Sequence, residues 1–185
     1  MPELLRESSG GEIYPVHRLD RAVGGLMVYA KRKDAAGALS GLIASGRLEK
    51  RYLACASGCP EEKEGIYRDL LFKDSGKNKS YVVKRMRKGV KEAELSYRLL
   101  GRRDDKCLLL IQLKTGRSHQ IRVQLASRKM PLLGDVKYGS QVRACGIALW
   151  SYELCFKHPF TGENMKISAL PPEEYPWRDF KEADL

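Results

Sequence analysis

Val16-His17-Arg18-Leu19-Asp20-Arg21, followed by Gly24-Gly25 and the apolar run Leu26-Met27-Val28-Tyr29-Ala30, decides how this chain is read. One carboxylate stands between two arginines, just ahead of a β-rich segment. The run over 24–31 reads as a strand buried on both faces. Asp20 is then either an ordinary turn residue or a reactive carboxylate held by cations. A carboxylate in a partly buried pocket needs a cation beside it, or it takes up a proton. With Arg18, Arg21 and later arginines to orient it, an ionised Asp20 suits a nucleophile better than a neutral-pH general acid.

Working outward, residues 1–15 are short, polar and glycine-bearing and read as a loop or frayed lead-in. Asp34 is placed to cap a helix in which Ala35, Ala38, Leu39, Leu42 and Ile43 fall near helical spacing, with Gly46 as its stop. Arg51 to Ser57 returns as a strand, Gly58-Cys59-Pro60 breaks it, and Glu61-Glu62-Lys63-Glu64 is an acidic turn. Ala93 to Leu99 alternates apolar with polar, the period of a half-exposed strand. Leu108 to Leu113 is a more buried strand, and a turn over 101–106 joins the two into an antiparallel hairpin. Ser118 is placed to cap a helix carrying Ile121 and Leu125, with Arg117 and Arg122 bracketing its start. Turn chemistry follows at Pro131 to Asp135 and Lys137 to Gly139. A strand over 147–156 then turns at His158 to Glu163 into Met165-Lys166-Ile167. Tyr175, Trp177 and Phe180 are expected to anchor the tail over 171–185. Short strands with two helices and no repeat or linker predict one α+β domain over 1–185. Its centre is a mixed, mostly antiparallel β-sheet with flanking helices.

Thirty-four Lys and Arg against 23 Asp and Glu leave a net charge of +11, which points to a polyanionic partner. Lys73, Lys77, Lys79, Lys84, Arg85, Arg87, Lys88 and Lys91 surround Tyr81-Val82-Val83. They form either a phosphate-binding β-ribbon or a soluble hairpin. The absence of an apolar run of about 18 residues excludes a helical membrane span, and Met1 to Arg6 has no signal-peptide core. Five irregularly spaced cysteines without a CxxC pair read as reduced thiols of a cytoplasmic protein. There is no phosphate-binding GxxxxGK[ST] loop and no GxSxG elbow, and His17, His119 and His158 lack ligand spacing. Neither a metal nor a cofactor is expected, so the chemistry must rest on side chains.

His17-Arg18-Leu19-Asp20, with Gly25-Leu26 and Ala30-Lys31, resembles the HRLD signature of RluA-type pseudouridine synthases. Glu49-Lys50-Arg51-Tyr52-Leu53-Ala54 resembles the second motif of that family. Thr115-Gly116-Arg117-Ser118-His119-Gln120-Ile121-Arg122-Val123 resembles its TGR[TS]HQ[IL]RV motif. Gly134-Asp135, Tyr138-Gly139 and Leu149 through His158-Pro159 fall in family order, so the resemblance covers roughly 16–172. It implies the pseudouridine synthase catalytic-domain fold and cofactor-free isomerisation of uridine to pseudouridine in a structured RNA, rRNA or tRNA. It implies that Asp20 is the catalytic carboxylate, attacking the sugar, attacking the base, or stabilising a glycal-forming step. By the same match, Tyr52 stacks on the target base and assists proton transfer, Arg122 pairs with Asp20, and Leu149 packs near that pair. Arg18 would contact RNA in the space a flipped base vacates, and Arg117 and His119 would add substrate contacts. Flipping a base costs a few kcal/mol, which phosphate contacts and an aromatic platform worth about 1–3 kcal/mol can offset.

The sequence also departs from the family pattern. Sixteen residues precede His17, where relatives carry a longer lead-in with an N-K-P-x-G strand pair; the resemblance implies a missing wall and an open sheet edge here. Val23-Gly24 stands for the usual Thr-Ser, Trp150 for a His, and Gln124 for the His of VHLA. The alternative to an enzyme is a catalytically inactive RNA-binding relative. A binding module would have no need to keep Asp20, Tyr52 and Arg122 together.

Overall fold

The computed structural model describes residues 6–7 and 10–180. Among the described residues the elements run β1 (Tyr14–Pro15), β2 (Gly24–Gly25), β3 (Tyr29–Ala30), α1 (Lys33–Ala44), β4 (Glu49–Ser57), β5 (Glu64–Asp74), β6 (Lys79–Val83), β7 (Val90–Arg103), β8 (Lys106–Leu113), α2 (Gln120–Ala126), β9 (Leu149–Lys157) and β10 (Asn164–Ser168). An eight-stranded sheet runs in the order β10-β9-β4-β8-β7-β5-β6, with β2 added alongside β9. Every pairing in it is antiparallel except β2 with β9. The expected α+β class, with a mixed and mostly antiparallel sheet, is what forms.

The period-two pattern of the central strands separates two cores. On β4 and β8, Tyr52, Ala54, Ala56, Cys107, Leu109 and Ile111 share one cluster with Ile121 and Leu125 of α2 and with Leu149. Their neighbours Leu53, Cys55 and Leu108 join Leu133, Ala148 and Phe180 in the other, against which Trp177 packs. Two of the expected tail anchors, Trp177 and Phe180, therefore close the sheet face opposite α2. Tyr175 lies under the Lys106 ammonium, 5.0 Å from the ring centroid.

Four local expectations are corrected. The run over 24–31 is not one buried strand. It is two two-residue strands facing different partners: β2 lies parallel to β9, and β3 pairs with β1. Burial along it is intermediate over 24–29, full only at Ala30, and Lys31 is exposed. The lead-in is not wholly loop, because Tyr14 and Pro15 pair with Ala30 and Tyr29. Asp34 does not cap α1: the N-cap is Arg32, and Asp34 sits in the first turn, where it accepts the Arg32 guanidinium. Nor does Ser118 cap α2. His119 is the N-cap, in left-handed conformation at φ 54°, and the Ser118 carbonyl instead accepts the Ser80 hydroxyl at 2.7 Å. Strand β5 carried no clear period in sequence; it forms between β6 and β7.

Candidate active site

Asp20 lies on a loop whose neck is tied twice. Val16 N–H donates to the Val28 carbonyl at 3.2 Å, and Val28 N–H donates to His17 Nε2 at 3.1 Å. The far side of the loop docks on β9, where Gly24 and Gly25 pair with Trp150 and Ser151 and Leu26 N–H reaches the Ser151 carbonyl at 2.9 Å. Val23 N–H donates to the Asp20 carbonyl at 2.9 Å, closing the turn at its tip. As an acceptor, His17 must be neutral. Burial, aided by the Lys50 charge, lowers it to about 4.

The cation that holds Asp20 is neither flanking arginine. Arg18 and Arg21 are exposed. Arg122, 102 residues away, donates from Nη1 to Asp20 Oδ2 at 3.1 Å. Arg18 and Arg21 adjoin Asp20 in sequence, but α2 brings Arg122 to it, the pairing that the family resemblance implies. Arg122 is itself gripped by Asp135: Nε to Oδ2 at 2.7 Å and Nη2 to Oδ1 at 2.9 Å. Burial of Arg122 works against its charge, but the hydrogen bonds and charges of Asp135 and Asp20 outweigh it and raise its pKa. Asp135 is 1% exposed and Arg122 6%, whereas the Asp20 side chain keeps 29% of its surface open. The fixed part of the triad is internal, and the carboxylate at its end faces the cleft.

The loop before α2 is folded by its own glutamine. Buried Gln120 accepts from Thr115 Oγ1 at 2.8 Å and from Arg117 N–H at 2.9 Å, and donates to the Glu94 carbonyl at 3.1 Å. Glu94 N–H in turn donates to Thr115 Oγ1 at 2.9 Å. Exposed Arg117 donates from Nε to the Glu92 carbonyl at 2.8 Å, which uses one donor and leaves its charge unneutralised by that contact. Asp135 and Tyr138 bracket a 3₁₀ turn at Val136–Tyr138. Their three-residue spacing puts them on the same side of that turn, and both face Arg122. The turn can begin there because Gly134 has φ +75° and a Cβ on it would lie 2.0 Å from the Gly146 carbonyl oxygen.

An open cleft of about 550 Å³ is lined by Arg18, Asp20, Tyr52, Arg117, His119, Arg122 and Leu149, so all seven residues singled out from sequence meet at one place. Leu149 begins β9 and pairs with Ala54 beside Tyr52. Tyr52 is 6% exposed, and its hydroxyl is pushed up to about 12, first by burial and also by the Asp20 charge, against a pull from Ser151. It is a neutral phenol at neutral pH, able to stack and to share a proton but not to serve as a phenolate base. His119 Nε2 is 3.9 Å from Asp20 Oδ2. Burial lowers its pKa against the pull of Asp20 and Asp135, and Arg122 and Lys137 reinforce the drop.

Sequence reasoning did not single out Lys50, Asp135 or Tyr138. Lys50 lines the cleft with its charge disfavoured by burial. Its signal was the spacing Lys50-x-Tyr52, which puts both on the same face of a strand. The cleft opens beside Arg18, Lys50 and Arg117 into a second groove that also carries Lys114. The two glutamates of that groove, Glu49 and Glu94, are paired with Arg51 and Arg68. Among the described residues there is no cluster of His, Cys, Asp and Glu that would hold a metal ion.

A family model described as RNA pseudouridylate synthase matches residues 3–127. The chain is 33% identical over 164 residues to the uncharacterized RNA pseudouridine synthase YjbO of Bacillus subtilis, covering 88% of this chain and 56% of that protein. It is 29% identical over 187 residues to tRNA pseudouridine synthase C of Vibrio parahaemolyticus, covering 90% and 75%. It is 30% identical over 177 residues to ribosomal large subunit pseudouridine synthase D of Zymomonas mobilis, covering 89% and 55%. Human RNA pseudouridylate synthase domain containing 4 shares the fold, with a TM-score of 0.76 at 22% identity over 92% of this chain and 76% of that one. The chain belongs to the RNA pseudouridylate synthase family, as its resemblance to RluA-type synthases led one to expect. It spans between about half and three quarters of the length of these curated relatives.

Proposed function

We propose that this chain isomerises uridine to pseudouridine in a folded RNA, either rRNA or tRNA, in the cytoplasm and without a cofactor. The target nucleotide is flipped into the cleft, where its base stacks on Tyr52 and against Leu149. The bond from C1′ of the ribose to N1 of uracil breaks, the base turns, and C1′ bonds to C5. One hydrogen leaves C5 and one is gained at N1, so the atoms balance with no co-reactant. Asp20 is the catalytic carboxylate, and Arg122 holds and aims it. Arg18, Arg117 and His119 contact the substrate, and the basic surface neutralises phosphates.

The observation that carries this reading is the chain Asp135–Arg122–Asp20. It holds a partly open carboxylate at the floor of a cleft beside a neutral tyrosine. A binding module would have no need of an open carboxylate held at the end of such a buried chain.

The test is to supply wild-type protein and the Asp20→Ala variant to RNA from a strain lacking the gene, then map pseudouridines at single-nucleotide resolution. Wild type should restore specific pseudouridines and Asp20→Ala none. If neither protein forms any while both bind RNA, the chain is an inactive RNA-binding relative. If Asp20→Ala is fully active, the role given to Asp20 is wrong.

A further inference from the structure

Tyr138 has no part in the steps above, yet the site converges on it. Its hydroxyl oxygen accepts Ser80 N–H at 2.8 Å and lies 2.8 Å from His119 Nδ1. The Arg122 guanidinium is 5.0 Å and the Lys79 ammonium 5.2 Å from its ring centroid. The His119 ring meets it edge-on with centroids 5.7 Å apart. Tyr138 is buried, so its hydroxyl proton needs a partner inside the protein.

The proton count of the Ser80–Tyr138–His119 chain favours one direction for these bonds. Ser80 N–H can only donate, so the phenol oxygen accepts there. If His119 Nδ1 also carried a proton, both neighbours would be donors, and the buried phenol proton would face no acceptor of the pair. Both contacts are made, and the phenol proton is used within the pair, when Tyr138 O–H donates to an unprotonated Nδ1. A neutral imidazole in that arrangement carries its proton on Nε2, the nitrogen that faces Asp20.

We infer that Tyr138 is a positioning residue: its hydroxyl fixes His119 as the Nε2–H tautomer, so that a donor and not a lone pair is turned towards Asp20 and the nucleotide bound there. The inference rests on the proposed uridine isomerisation for its catalytic consequence, but not for the tautomer itself. A lone pair beside the carboxylate would repel it, whereas an N–H stabilises it and any charge that grows there. The same hydroxyl ties this donor to the basic hairpin, because Ser80 follows Lys79 on β6.

The first measurement is long-range ¹H–¹⁵N correlation of the His119 ring in the ¹⁵N-labelled full chain at neutral pH, without RNA. Wild type should show Nε2 protonated and Nδ1 bare, and Tyr138→Phe should show a mixture. A protonated Nδ1 in wild type, or an unchanged tautomer in Tyr138→Phe, overturns the inference. If Tyr138→Phe does not fold, the wild-type tautomer decides alone. The second is a double-mutant cycle on pseudouridine formation, using His119→Gln, which keeps an amide donor and has no second ring nitrogen. Tyr138→Phe should lower kcat about tenfold with KM within about twofold in the wild-type background, and less than about twofold in the His119→Gln background. Equal losses in both backgrounds overturn it. A chain with the expected tautomer that forms no pseudouridine refutes the proposed function instead.

Discussion

The indole of Trp150 fills the place where a Cβ on Gly24 would stand: such an atom would lie 2.4 Å from Cζ3 of the ring. Trp150 is held there by its Nε1–H, which donates to the Ala169 carbonyl at 2.8 Å, and by the pairing of Gly24 with Trp150 between β2 and β9. Gly24 and Trp150 are two of the positions at which the sequence leaves the family pattern. The contact makes them one packing event on the loop that carries Asp20. Gly24→Ser should therefore destabilise the protein by about 1–3 kcal/mol through overpacking. Combined with Trp150→His, it should cost less than the two single changes added together, by at least about 1 kcal/mol. Urea denaturation of the four proteins checks this; additive costs would mean that the two positions are independent.

Asp135 never reaches the cleft, yet it sets the aim of Arg122. Asp135→Ala leaves a buried guanidinium with its charge uncompensated on that side, which costs about 3–5 kcal/mol of stability. At a temperature where the variant is still folded, pseudouridine formation should drop at least tenfold while RNA affinity changes little, because phosphate contacts set affinity. Filter binding and single-turnover assays at one salt concentration separate the two effects. A parallel loss of affinity would mean that Asp135 shapes the RNA surface.

His17 makes the Asp20 loop sensitive to acid. Its folded-state pKa of about 4 lies below the ordinary 6.5, so between those values the unfolded chain binds a proton that the folded chain resists. The stability is fully present above pH 6.5 and is lost as pH falls towards 4. The slope from this residue is at most about 1.4 kcal/mol per pH unit, and less because the ring is only half-buried. His17→Gln keeps an acceptor for Val28 N–H and does not titrate. Relative to wild type its Tm should rise steadily from pH 6.5 to pH 4; a constant difference across that range would show that His17 titrates normally.

RNA binding should weaken steeply with salt, and the groove continuing from the cleft should account for part of the slope. Lys114 and Arg117 line it, while its glutamates are already paired with Arg51 and Arg68. Each of Lys114→Gln and Arg117→Gln should reduce the slope of log K against log salt by about 0.7–0.9. Titrations between low and physiological salt measure this. An unchanged slope in both variants would place the RNA on another face.

Local chemistry in the sequence went a long way. Alternation in Ala93 to Leu99 placed β7, the apolar run Leu108 to Leu113 placed β8, and helical spacing at Leu39, Leu42 and Ile121, Leu125 placed the helices that cover the sheet, because such patterns follow from backbone geometry. The ordered motifs named the residues that line the cleft. Where the signal was short-range and weak it failed. Gly24 to Lys31 has strand composition but divides between two partners, and Asp34 and Ser118 look like caps but are displaced by Arg32 and His119, since competing tertiary bonds choose the helix start. What the sequence by itself determined was the family, the mostly antiparallel sheet and the residues that line the cleft. The tertiary structure alone decided that Asp135 aims Arg122 at Asp20 and that Tyr138 stands behind His119. Those relations join residues from 13 to 102 positions apart, through hydrogen bonds whose energy depends on distance and direction, and neither quantity exists until the sheet has closed over α2.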